Sequence, residues 1–318
     1  VSSTLADSPV IVLMGPTASG KTRLAIELAH ALDGEVISVD SALVYRGMDI
    51  GTAKPSLSER EGIPHHLIDI LDPADAYSTG RFRLDALASI EVVRKGGRLP
   101  ILTGGTFLYF NALLKGLADL PAADPAVRGT IETEAAQYGW DHLHAELARV
   151  DPFAAQRIHR NDPQRIQRAL EVYRLTGVSL SQLCAIQPMP LPYRFCTLAL
   201  APANRDELRA RIRHRFLEML DRGLIDEVRK LRERGSLHPD LPSMRSVGYR
   251  QVWAYLEGEC TEAEMIELGI IATRQFAKRQ MTWLRKQTEA FPLQTEDRLL
   301  KEKALQRVAA FLAAAKLN

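Results

Sequence analysis

The chain has 318 residues, 46% of them hydrophobic and 25% charged, with a formal net charge of +2. That length suits one large domain or two smaller ones, and the composition excludes disordered, fibrous and membrane-embedded classes. Three cysteines, Cys184, Cys196 and Cys260, stand far apart with no C-x-x-C pair, which argues against a zinc knuckle or a disulfide framework and suits a reducing compartment.

The first element is the apolar run PVIVLM at residues 9–14, too short for a signal sequence or a membrane span, so a cytoplasmic protein with no membrane partner is expected. It ends in glycine, as a buried parallel strand does, and TRLAIELAHAL beyond it has helical spacing. Between them lies GPTASGKT, which matches G-x-x-x-x-G-K-[ST] in the required context of strand, loop and helix. Gly15 and Gly20 let the backbone turn its N–H groups inward, and the helix N-terminus adds positive potential. Lys21 is a point charge for a diphosphate, and the Thr22 hydroxyl is placed to touch phosphate or Mg²⁺. Such loops most often hold ATP or GTP, and those owners also need an acid at the end of an apolar strand to hold Mg²⁺.

GEVISVDSALVY supplies a second strand at 35–39 and delivers Asp40 to its carboxyl end. Asp40 is open to three readings: metal holder, general base, or turn-capping residue. His65 and His66 precede an apolar strand-like run without metal-ligand spacing and read as packing or hydrogen-bonding residues. RFRLDALASIEVVRK is a helix, with Phe82, Leu84, Leu87, Ile90 and Val93 apolar and a Gly-Gly stop. LPILTGG is a third strand, ending in Thr103-Gly104-Gly105-Thr106 with no carboxylate, and TFLYFNALLKGL is a helix. This alternation predicts a parallel sheet with helices on both faces.

From LADLPAADPAVR to about Cys184 the pattern is entirely helical, and LPYRFCTLALAP at 191–202 returns to strand character. The expectation is an α/β, P-loop NTPase-like core with a mostly parallel sheet, interrupted by an all-helical insertion: core at 1–118, insertion at 119–185, core again at 186–318. Long helices follow, and 291–318 holds a further helix without evident chemistry. His159, in HRND, reads as ordering the turn before the next helix. Residues 157–174 carry five arginines against two acids, and 273–286 five basic residues against none. Local basic clusters in a near-neutral chain fit either a confined anionic surface or solvated helix faces.

GPTASGKT, DSALVYRGMDIGTAKP, PHHLIDILDP, GGTFLY, NDPQRIQRALEVYRLTG, MRSVGYRQ and TRQFAKRQMTWLR occur in that order and together resemble the tRNA dimethylallyltransferases, also called tRNA isopentenyltransferases. The similarity runs from about Pro9 to Arg285 and, without the C-terminal zinc finger common in eukaryotic relatives, is to the bacterial type. It implies that the loop holds not a nucleotide but the diphosphate of dimethylallyl diphosphate. The prenyl group would pass to N6 of the adenosine at tRNA position 37, just 3′ of the anticodon. A small-molecule kinase, an adenylate isopentenyltransferase and a pure RNA-binding module are the rival readings.

The resemblance also implies residue roles. Gly15, Pro16, Thr17, Ala18, Ser19, Gly20, Lys21 and Thr22 would cradle the diphosphate, Thr22 with Mg²⁺, and Arg215 would be a second clamp. Asp40 would be the general base, with Thr106 orienting the target base and Lys21 and Arg215 completing the catalytic set. Contacts to the tRNA anticodon stem-loop would come from Asp40, Ser41, Ala42, Leu43, Thr106 and Arg128, and from Gln164, Arg165, Ile166, Gln167 and Arg168. Further contacts would be Arg245, Ser246, Val247, Gly248, Tyr249 and Arg250, then Lys278, Arg279, Gln280, Met281, Thr282, Trp283, Leu284 and Arg285. Helical spacing puts Arg274, Lys278 and Arg285 on one face beside an apolar stripe of Ile266, Ile270, Ala277 and Leu284, and favours a core position for Trp283. A monomer is expected.

Overall fold

The computed structural model describes residues 8–186 and 191–314. The chain divides into two compact units, Val1–Leu114 with Leu191–Asn318, and Lys115–Pro190.

The first unit begins with β1 (Ser8–Met14), α1 (Lys21–Leu32), β2 (Gly34–Val39), β3 (His65–His66), α2 (Thr79–Lys95), β4 (Leu99–Gly104) and α3 (Phe107–Leu114). The second unit contains α4 (Pro125–Tyr138), α5 (Trp140–Val150), α6 (Pro152–Arg157), α7 (Pro163–Thr176) and α8 (Leu180–Ala185). The first unit resumes with β5 (Tyr193–Ala201), α9 (Arg205–Asp221), α10 (Leu224–Glu233), α11 (Tyr249–Leu256), α12 (Glu262–Leu284), β6 (Phe291–Gln294) and α13 (Leu300–Ala314).

The sheet has six strands in the order β3-β2-β4-β1-β5-β6, and every pairing is parallel. β1 lies at its centre because its apolar run is covered on both faces, as a parallel strand requires. Val10, Val12 and Met14 pack into a large core with residues of α2, α3 and α9 to α12, whereas Ile11 and Leu13 pack against α1 and α13. β2 and β4 lie on one side of β1, and β5 on the other. The direction of winding therefore switches at β1, and in open α/β sheets ligands bind beyond the strand ends at such a switch.

Three expectations need correction. The strand-like signal after His66 is instead a turn: the two histidines are themselves the strand, and positive φ angles at Leu67 (61°) and Asp69 (58°) break the extension. In α2 it is Ala86, not Leu84, that joins Phe82, Ile90 and Val93 in the core; Leu84 is 67% exposed. Residues 291–294, assigned no element from sequence, form the edge strand β6 on β5, where Pro292 is tolerated as it would not be in the interior.

The helical unit has its own core, including Ile131, Leu143, Leu147, Ile166 and Leu170. Its helices start on side-chain caps: Asp124 on α4, Asp151 on α6, Asp162 on α7 and Ser179 on α8. The first three caps are followed at once by proline, which needs no N–H partner at that position. His159 supports the turn into α7, its Nδ1 accepting from Asn161 N at 3.1 Å.

Candidate active site

The loop from Gly15 to Gly20 crosses from β1 to α1 at the switch point, and Gly15 N donates to Gly104 O of β4 at 3.4 Å. Gly20 caps α1 with φ +81°, a conformation that a side chain disfavours. Gly104 is equally constrained, since a Cβ there would fall 2.0 Å from Val39 O. The start of α1 has no side-chain cap and no acid in its first turn, so its N–H groups and positive end stay available to an anion.

Two distant residues fix the loop. Gln280 of α12 accepts from Thr17 N at 2.9 Å and donates through Nε2 to Gly105 O at 2.8 Å, joining the phosphate loop to the β4–α3 turn. Thr295, just past β6, donates to Ser19 O at 3.1 Å. The Lys21 ammonium is parked on Pro16 O at 3.1 Å. Burial lowers its pKa to about 8; the field of Asp40 opposes that shift and the field of Arg215 adds to it. Arg215 is also shifted down by burial, with Asp40 opposing, and it has no ion pair among the described residues. Lys21, Asp40 and Arg215 thus sense one another in one poorly solvated corner. Two cations exceed one carboxylate there, an excess suited to a polyanion.

Asp40 both shapes the turn and remains available. Its Oδ1 accepts from Ala42 N at 2.9 Å and Leu43 N at 3.4 Å, while Oδ2 takes no protein hydrogen bond among the described residues. The turn-capping and chemical readings are therefore compatible. Thr106 is tied to the same turn, its Oγ1 accepting from Ser41 N at 3.1 Å.

These groups surround a cavity of about 410 Å³ lined by Thr17, Ala18, Lys21, Thr22, Asp40, Ser41, Ala42, Leu43 and Arg215, with apolar walls from Ile68, Phe216, Met219 and Phe276. Arg245, Ser246, Val247, Gly248, Arg279 and Gln280 also line it. A second cavity of about 650 Å³ shares Ala18, Lys21, Thr22, Arg215 and Met219 with it. The phosphate corner is thus approached from two sides.

Several residues expected to contact RNA are buried or already ion-paired. Ile166, Tyr249, Gln280 and Leu284 are buried, with exposures of 0%, 0%, 4% and 6%, because each serves a core or holds the loop. Gly248 is also buried, at the start of α11. Arg128 and Arg168 both pair with the fully buried Glu171, at 2.8 and 2.6 Å, so the two share one carboxylate and are held within the helical unit. Arg274 is half-buried, its Nε without a partner, and does not share the open exposure of Lys278 and Arg285. Trp283, expected in the core, is 40% exposed. Gln164, Arg165, Arg245, Arg250, Lys278, Arg279, Thr282 and Arg285 are exposed, while Gln167, Ser246, Val247 and Met281 are half-buried.

The sequence did not single out Ser38, whose only local signal is its place in an apolar strand, or Thr295 and Glu227. Glu227 accepts from Asp49 N, Ile50 N and Gly51 N at 2.9, 2.7 and 3.1 Å and from the Tyr249 hydroxyl. It fixes the loop that carries Gly51, Thr52 and Ala53 into the cavity wall. No helix among the described residues is long and apolar enough to cross a membrane, and none of their His, Cys, Asp and Glu side chains form a metal-holding cluster of three or more.

A parallel sheet, an anion-binding loop and an acid facing it across an apolar-walled cavity define a P-loop α/β protein built for group transfer from a phosphorylated donor. Comparison with known proteins narrows this class. The model of the IPP transferase family matches residues 43–287, which lie beyond the phosphate loop. The tRNA dimethylallyltransferase of Methylococcus capsulatus is 61% identical over 305 residues, covering 96% of this chain and 98% of that protein. The full-length tRNA isopentenylpyrophosphate transferase of Bacillus halodurans superposes with a TM-score of 0.69 at 38% identity, covering 97% of this chain and 96% of that one. A eukaryotic dimethylallyltransferase acting on tRNA gives a TM-score of 0.84 at 29% identity, covering 96% and 80%. The chain belongs to the IPP transferase family.

Proposed function

We propose that this protein transfers a dimethylallyl group from dimethylallyl diphosphate to N6 of the adenosine at tRNA position 37, releasing diphosphate. The observation that carries this reading is the convergence of Lys21, Arg215 and Asp40 on one cavity, two cations for a leaving group and one carboxylate for an acceptor. A kinase is disfavoured because the last two residues of β4 are Thr103 and Gly104, where a nucleotide-binding protein needs a metal-holding acid, and because of the family.

In this reading the loop N–H groups, Lys21 and Arg215 hold the diphosphate. Negative charge grows on the bridging oxygen as the allylic C–O bond breaks, and fixed donors favour that transition state over the ground state. The apolar walls at Phe216, Met219 and Phe276 accept the five-carbon chain and exclude water from the allylic carbon. Adenine N6 is a poor nucleophile because its lone pair is delocalised into the ring. As it attacks, positive charge builds on nitrogen, which Asp40 stabilises before Oδ2 takes the proton. Thr106, tethered to Ser41, orients the base.

Thr22, which lines the cavity from the first turn of α1, would hold Mg²⁺ together with the diphosphate, and the cation would neutralise diphosphate charge. The exposed side chains Gln164 and Arg165 on the helical unit, and Arg245, Arg250, Lys278 and Arg285 on the core unit, are suited to anticodon stem-loop phosphates. A target base inside the anticodon loop must leave its stack to reach a cavity. A cytoplasmic monomer is consistent with this role.

Asp40→Asn tests the assignment, since it keeps shape but removes charge and basicity. A general base contributes roughly 10²–10⁴ in rate. Single-turnover transfer at saturating donor and tRNA should fall by that range with donor affinity unchanged. An unchanged rate, or one restored by added Mg²⁺, removes Asp40 from the role of base.

A further inference from the structure

Two hydroxyls beside the phosphate loop are unaccounted for. Ser38 on β2 is 3% exposed and Thr103 on β4 is 9% exposed, and neither side-chain oxygen has a hydrogen-bond partner. They are register partners on neighbouring parallel strands, so they stand side by side near the strand ends. By strand alternation they share the sheet face of Val36 and Ile101, which pack against α1. Both line the cavity that holds Lys21, Thr22 and Asp40. Beyond Ser38 on the same side, His65 engages Ile63 O through Nδ1 at 2.8 Å and leaves Nε2 unpartnered in the same cavity. Buried polar atoms are almost always satisfied by protein, water or an ion, so a row of unsatisfied ones marks a solvated or ligand-binding corner.

Thr103 also stands at the strand-end position where phosphate-loop proteins that bind nucleotides carry an acid for the metal. We propose that Ser38 and Thr103 are positioning residues that hold the water shell of the divalent cation bound with the donor's diphosphate. They replace a charged carboxylate by two neutral hydroxyls. The inference rests on the diphosphate reading of the loop given above. Neutral hydroxyls can orient metal-bound water but add no fixed negative charge. The cation is therefore held mainly by the diphosphate and Thr22, and it arrives and leaves with the diphosphate. By linkage, metal and diphosphate raise each other's affinity by the same factor.

The test is Mn²⁺ binding followed by its paramagnetic resonance signal, with inorganic diphosphate as the anion and no tRNA. Wild type should take up Mn²⁺ strongly only when diphosphate is present. Thr103→Val and Ser38→Ala should each lower Mn²⁺ affinity in the diphosphate complex by about tenfold, the range seen when groups supporting metal ligands are removed. Diphosphate affinity measured in chelator should be unchanged, and Thr103→Ser, which keeps the hydroxyl, should bind Mn²⁺ as wild type does. A purely structural role would instead alter diphosphate binding with and without metal alike. Wild-type Mn²⁺ affinity in Thr103→Val and Ser38→Ala overturns the hydroxyl cradle while leaving the diphosphate reading intact. Failure of wild type to bind diphosphate at all overturns both.

Discussion

Lys21 is the residue whose environment most restricts its chemistry. Burial brings its ammonium to about pKa 8, far below an ordinary lysine. A bound diphosphate favours the charged form, so donor binding above that pH must take up a proton. Affinity for dimethylallyl diphosphate, measured without tRNA or metal, should be constant between pH 7 and 8 and fall up to tenfold per unit above it. Lys21→Met should bind more weakly and lose this inflection. An affinity that is flat from pH 7 to 9.5 in wild type would show that Lys21 does not meet the diphosphate. The same residue illustrates what sequence discloses: spacing alone identified Lys21 as a phosphate ligand. Its pKa was not legible, because Asp40 and Arg215 approach it from elements 19 and 194 positions further along the chain.

At the scale of elements, the strands with long apolar runs, β1, β2, β4 and β5, were legible, as was the loop between β1 and α1. β3 and β6 were not, since two and four residues carry too little periodicity to register. The two residues of β3 pair because β2 offers them an edge, and β6 pairs because β5 does. Long-range struts were equally hidden. Gln280 lies in a basic stretch that resembles an RNA contact, yet its amide bridges Thr17 and Gly105, 263 and 175 positions away. Gln280→Leu leaves a backbone N–H and C=O without partners, which costs about 1–3 kcal/mol for each buried group left unsatisfied. Thermal unfolding should shift down and donor affinity should weaken, with tRNA affinity unchanged. Weakened tRNA binding with normal donor affinity would return Gln280 to the RNA surface.

For the whole molecule, net charge is uninformative while its distribution is not. The chain is nearly neutral, yet Arg250, Lys278 and Arg285 are exposed on the core unit with no ion pair among the described residues. The helical unit instead spends Arg128, Arg168 and Arg174 on Glu171, Glu134 and Glu146, and pairs the exposed Arg165 with Asp162 at 3.4 Å, while Arg149 is exposed with no ion pair among the described residues. Charge counting along the sequence located these clusters but could not separate paired from unpaired cations, because the partners of Arg128 and Arg174 lie on other helices. If the unpaired set meets phosphates, Arg250→Ala, Lys278→Ala and Arg285→Ala should each lower the salt slope of tRNA binding by about one unit without altering donor affinity. A triple variant with the wild-type slope would leave these side chains merely solvated.

Joining a diphosphate-holding loop to a base-accepting carboxylate makes the acceptor the decisive question. Incubation of the wild-type chain with labelled dimethylallyl diphosphate and equimolar anticodon stem-loop, AMP and ATP, followed by digestion and mass analysis of the nucleosides, answers it directly. Label is expected on N6 of the adenosine at position 37 of the RNA, with stoichiometric diphosphate release and no change in AMP or ATP. Label on AMP or ATP with unmodified RNA, or phosphoryl transfer from ATP, would contradict the proposed transfer to RNA.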